Sequence, residues 1–114
     1  MSLELEKSMR IINDLVSFCY HEGAEEFEMS VKHYDNQSTE MKVICPIMNM
    51  NSTALEEMRR TLKLPRQHEV EQMYWELSGE TEFSGELSLV GAMSNATEVS
   101  YENNILTIIV HRDD

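Results

Sequence analysis

Along the first twenty or so positions apolar residues recur at Leu5, Met9, Ile12, Val16 and Cys19, with a flanking row at Ile11, Leu15 and Phe18. Spacing of three and four predicts an amphipathic helix from Leu3 to about Glu22 that buries a broad stripe and runs into Gly23. Beyond the glycine the period becomes two. "EEFEMSVKHYD" places Phe27, Met29, Val31 and His33 on one face and Glu28, Ser30, Lys32 and Tyr34 on the other, and "TEMKVICP" alternates through Met41, Val43 and Cys45. With "DNQS" as the turn between them, the two runs predict an antiparallel hairpin.

The middle of the chain returns to helical spacing. "NSTALEEMRRTLKL" opens with Thr53 and Glu56 three residues apart, a capping-box signature, and its helix should stop before Pro65. "PRQHEVEQMYWEL" restarts as a helix with Pro65 near its first turn and Val70, Met73, Tyr74 and Leu77 on one face. The loop "SGETEFSG" leads to a short apolar helix in "ELSLVGAMS". "TEVSYE", the pair Asn103-Asn104 and "ILTIIVHR" then predict a second hairpin, because asparagine tolerates the positive φ of a tight turn. The order implies one α+β domain over residues 1–114. In it, a mixed, mainly antiparallel sheet of about four strands carries helices on one face, a two-layer α/β sandwich.

At 114 residues and 41% hydrophobic, the chain suffices for one core. No apolar run approaches a membrane span and "MSLELEKSMR" has no signal-peptide character, so the expectation is a soluble, cytoplasmic protein without a membrane partner. The 21 acidic against nine basic residues, net −12, argue against a nucleic-acid partner, which requires a basic surface. One basic cluster stands out, "RRTLKLPR", with Arg59, Arg60, Lys63 and Arg66. It reads either as a solvated helix end or as a site for an anion or acidic partner. Cys19 and Cys45 lie among apolar neighbours on different elements and read as buried, reduced thiols, with a disulfide or a metal site as the alternatives.

"DLVSFCYHEG", residues 14–23, resembles the end of the first conserved helix of the GHKL superfamily, the ATP-binding fold of histidine kinases, anti-sigma-factor kinases, gyrase-type ATPases and heat-shock chaperones. There the helix reads Glu-Leu-Val-Thr-Asn-Ala, then His-Gly. Asp14 stands for the glutamate, a general base in the family, Phe18 falls on the asparagine, Cys19 on the alanine and Gly23 on the glycine. The hairpin that follows, and "GELSLVGAMSNATEVSYENNILTIIVHR", resemble the family's paired strands and its late helix with final hairpin. The resemblance implies a histidine-kinase-ATPase-like fold and, in an intact member, ATP with magnesium.

Three departures bear on that cofactor. The family's asparagine offers a carbonyl oxygen to magnesium, and Phe18 has none. An aspartate with spaced glycines reads adenine in the family, whereas "CPIMNMNS" has neither. The late Gly-x-Gly-Leu exposes amides to phosphate, whereas Ser84-Gly85-Glu86-Leu87 sets a carboxylate there, repulsive to a polyanion. Asp14, Phe18, Gly85 and Glu86 are therefore read as vestigial site positions. The leading expectation is a degenerate member without nucleotide, metal or catalysis, acting with a protein partner or in regulation; homodimerisation is left open. The alternative is a divergent ATP-binding signalling protein of histidine-kinase or anti-sigma-kinase type, with "RRTLKLPR" replacing the lost phosphate contacts.

His21, His33, His68 and His111 are dispersed over four elements and read as surface or half-buried side chains. Tyr74 and the sole tryptophan, Trp75, read as core or partner anchors, with ligand stacking a further alternative. Residues 53–77 carry a continuous apolar stripe, which predicts ordered helices covering the place a nucleotide would take, with Phe18 buried against the sheet.

Overall fold

A computed structural model of the chain describes residues 3–63, 65–72 and 87–113. The first helix, α1 (Leu3–His21), ends as its sequence directs. Gly23 takes φ +106°, its N–H donates to Tyr20 O, and the N–H of Ala24 reaches back to Cys19 O. This pair of bonds closes the helix with the only residue type that enters the left-handed region freely.

The four strands are β1 (Glu28–His33), β2 (Ser38–Pro46), β3 (Ala96–Glu102) and β4 (Ile105–Asp113). They form one sheet in the order β1-β2-β4-β3. All three pairings are antiparallel, so no parallel element of the expected mixed sheet is present among the described strands. Asn103 and Asn104 take φ 53° and 62°, the two positive angles that a two-residue hairpin needs.

Period-two alternation holds on the central strands. Met41, Val43 and Cys45 of β2 and Leu106, Ile108 and Val110 of β4 are buried toward the helices. β1, at the sheet margin, shows little of the expected alternation in burial, only Val31 being half-buried, although its register sets Met29 and Val31 beside Val43 and Met41.

The helices lie on this one face. α2 spans Ser52–Leu62 and α3 Leu87–Ala92, with α3 packed against both α1 and α2. Between them residues 68–72 are helical. The expected capping box does not form at Thr53. Asn51 is the cap, its Oδ1 accepting from Thr53 N at 2.8 Å and Ala54 N at 3.2 Å, so the helix starts two residues earlier. The second helix does not start at Pro65 but at residue 68, after the N–H of Gln67 is taken by Ala92 O. Its continuation through Met73, Tyr74, Trp75 and Leu77 lies outside the described residues.

On α1 the fully buried apolar positions are Ile11, Ile12, Leu15 and Cys19. The stripe is thus turned toward the flanking row of the sequence pattern. Met9 is 49% exposed, while Leu5, Val16 and Phe18 are half-buried, because the helix rests over β2 and leans on α3. Gly91 fits where α3 crosses α2: a Cβ there would stand 2.8 Å from Thr61 O.

Candidate functional site

The two α1 positions that the resemblance marks, Asp14 and Phe18, both lie against the interior. Asp14 is fully buried, its Oδ2 3.4 Å from Arg10 Nε one turn earlier. Phe18 is half-buried and packed against the core cluster, less enclosed than expected. Gly85 and Glu86 lie outside the described residues, as do Tyr74 and Trp75.

Across "CPIMNMNS", the segment set against the family's adenine-reading motif in the resemblance, the backbone is tied to the final hairpin. Ile47 N donates to Asn104 O at 2.8 Å, and Asn49 N to Asn104 Oδ1 at 3.2 Å. The Tyr101 hydroxyl accepts from Met50 N at 3.0 Å and donates to Ile47 O. Ile47 is buried, and Asn49 holds φ 52°, one of the few non-glycine residues that tolerate it. A segment that in the resemblance would approach a ligand is here closed on its own chain. The sequence signal was Tyr101 at an inward position of β3, one strand away from amides that needed partners.

A second polar centre was not foreseen. Glu71, buried on the 68–72 helical segment, receives Lys7 Nζ at 2.9 Å, Arg66 Nε at 3.1 Å and Arg112 Nη1 at 3.1 Å. Arg112 is 0% exposed and also holds Glu4 Oε2 at 2.9 Å and the Met93 carbonyl. Burial by itself would raise the Glu71 pKa, but the hydrogen bonds from Arg112 and Lys7 outweigh it and bring the group down to about 2. Burial likewise disfavours the Arg112 cation, and the bonds to Glu71 and Glu4 more than restore it. The cluster joins α1, residues 66–71, the end of α3 and β4. It has every mark of a tie between elements, since its carboxylates are saturated with cations.

That tie takes one member of the basic cluster. Arg66 is occupied by Glu71, Asn95 Oδ1 at 2.8 Å and Asp113 O at 2.7 Å. Arg59 reaches Val99 O at 3.5 Å and Arg60 pairs with Glu57 at 3.1 Å, both on or beside α2, while Lys63 is exposed. The four cations therefore serve different partners, and Arg66 is not available to an anion as the sequence reading envisaged.

Cys19 and Cys45 are both buried and free, and face each other across α1 and β2. The hydrogen bond to Cys45 and burial push the Cys19 pKa up, which keeps it a thiol. The histidines are dispersed: His33 Nδ1 meets Thr39 Oγ1 at 2.9 Å, and His111 Nε2 meets Glu98 Oε2 at 3.3 Å. Among the described residues no group of three or more His, Cys, Asp or Glu side chains is placed to hold a metal ion.

A cleft of about 440 Å³ opens where α1 ends, walled by Glu22, Glu25 and Glu26 on one side and Pro46, Ile47 and Met48 on the other. Three carboxylates around it would repel a polyphosphate. Among the described residues no helix is long and apolar enough to cross a membrane. Comparison with protein-family models, with curated proteins and with solved structures gives no match.

Proposed function

We propose that this chain is a degenerate histidine-kinase-type ATPase-fold domain that has given up nucleotide and acts in the cytoplasm through protein interaction or regulation. The reading is supported by the order helix, hairpin, helices, hairpin, with helices on one face of a four-stranded sheet. The observation that carries it is the segment 47–50, bound at Ile47, Asn49 and Met50 by Asn104 and Tyr101. An adenine reader must present open backbone and a carboxylate, and this segment presents neither. Phe18 adds an apolar ring at the position from which magnesium would need an oxygen.

Calorimetry with ATP and magnesium on the full chain is the test. No heat of binding up to millimolar nucleotide is expected. Saturable binding would overturn the reading in favour of a divergent ATP-binding signalling protein.

A further inference from the structure

We infer that the free edge of β1 is a self-association surface, on which two copies of this chain pair β1 against β1 and continue the sheet across a twofold axis at Ser30. This goes beyond the proposed function and does not depend on it.

β1 is a marginal strand, and among the described residues nothing pairs with its outer edge. The phase of its hydrogen bonding follows from the hairpin. Tyr34 N donates to Ser38 O, so Tyr34, and by alternation Lys32, Ser30 and Glu28, direct their backbone groups toward β2. Met29, Val31 and His33 direct theirs outward. An antiparallel pairing of two β1 strands about Ser30 sets Met29 opposite Val31 of the second copy and Val31 opposite Met29. These are the residues with outward N–H and C=O groups, so the ladder closes in phase.

The same register matches the side chains. On the solvent face Glu28 falls opposite Lys32 of the second copy, and Lys32 opposite Glu28. Both are exposed, and neither has an ion pair within its own chain among the described residues. Moving the axis to Met29 or Val31 keeps the phase but sets Glu28 opposite Ser30 or Tyr34, and Lys32 opposite Glu26, which lies outside β1, or Ser30, so no charge pair forms within the strand. A lysine on a strand edge usually deters pairing. Here it deters pairings in other registers and favours this one.

On the helix face the same edge is apolar. Met29 is 54% exposed although it lies on the side of the sheet that the helices cover. Helical spacing puts Met9, Val16 and Tyr20 on the flank of α1 away from Lys7, which faces Glu71, and therefore toward β1. Tyr20 is 64% exposed. Two copies joined at β1 would bring these flanks together and cover Met29.

The opposite edge lacks these properties. On β3 the Val99 carbonyl is held by Arg59, and pairing about Ser100 would set Glu98 against Glu102. The two edges of one sheet thus differ in what they admit, and only β1 is complementary to itself.

The test is sedimentation equilibrium of the full chain from micromolar to millimolar concentration at physiological ionic strength, where the −12 charge on each copy is screened beyond about 8 Å. A monomer–dimer equilibrium is expected. Glu28→Lys and Lys32→Glu should each weaken it roughly tenfold or more, because both symmetric pairs turn repulsive. The double variant E28K/K32E should restore it; melting at low protein concentration checks that each variant folds, Lys32→Glu losing some stability because Lys32 lies opposite Glu40 of its own β2. A wild type that is monomeric throughout, single variants that dimerise unchanged, or a double variant that stays weak would each overturn the proposal.

Discussion

Glu71 and Arg112, 41 residues apart in the chain, meet through two hydrogen bonds of 3.1 and 3.2 Å in the interior of the protein. One group comes from a short helical segment and the other from the last inward position of the final strand, at the end away from its hairpin turn. Two ions taken out of water repay their desolvation only when each is fully partnered. Lys7, Arg66 and Glu4 supply most of those partners, Arg112 Nε having none among the described residues, and thereby fix α1, β4 and residues 66–71 in one arrangement.

Glu71→Gln should therefore cost about 3 kcal/mol in urea unfolding, since Arg112 would keep the Met93 carbonyl and Glu4, whose side chain is 32% exposed, but lose its buried counter-ion. The pH dependence carries the same signature. The Glu71 pKa falls from 4.5 to about 2 on folding, so its contribution is complete above pH 4.5 and is lost as pH falls through that interval. Wild type should lose about 3 kcal/mol there, and the glutamine variant should lack that part of the acid limb. Parallel acid limbs in the two proteins would show that Glu71 is not the group responsible.

Tyr101→Phe keeps the ring and removes one oxygen. The Met50 amide and the Ile47 carbonyl then lose a partner, for a cost of about 1–2 kcal/mol. Amide exchange at Met50 should accelerate while the centre of β4 stays protected. Unchanged exchange at Met50 would mean that the segment is held by Asn104 alone.

Gly91→Ala sets helix propensity against packing. An exposed helical site would gain about 1 kcal/mol from alanine. At Gly91 the new Cβ would stand 2.8 Å from Thr61 O, backbone that cannot turn aside, so α2 and α3 must separate. A net loss of about 1–3 kcal/mol in thermal unfolding is expected. A rise in melting temperature would place the two helices farther apart than described.

What periodicity controls was readable in advance. The alternation at Met41, Val43 and Cys45 and at Leu106, Ile108 and Val110 marked two strands with one buried face. Gly23 and Asn103-Asn104 marked a helix end and a hairpin, because few residues tolerate the backbone angles required there. These are local properties, settled within a few residues of chain. The facing of α1 was less so: neighbouring rows at Met9 and Ile11 both looked apolar, and only the position of β2 and α3 decided which one was buried.

The sequence by itself determined most of the elements, their order and the acidic balance of the chain. Arg112 takes an inward position of β4, but neither its burial nor its partner was read in advance, since any of 21 carboxylates could have served. Tertiary structure chose Glu71, closed residues 47–50 onto Tyr101 and Asn104, separated Arg66 from the other cations of its cluster and left β1 at the margin. Each of these depends on which distant segments the folded backbone brings together, and pairings across tens of residues are fixed by the packing of the whole core, not by any local pattern.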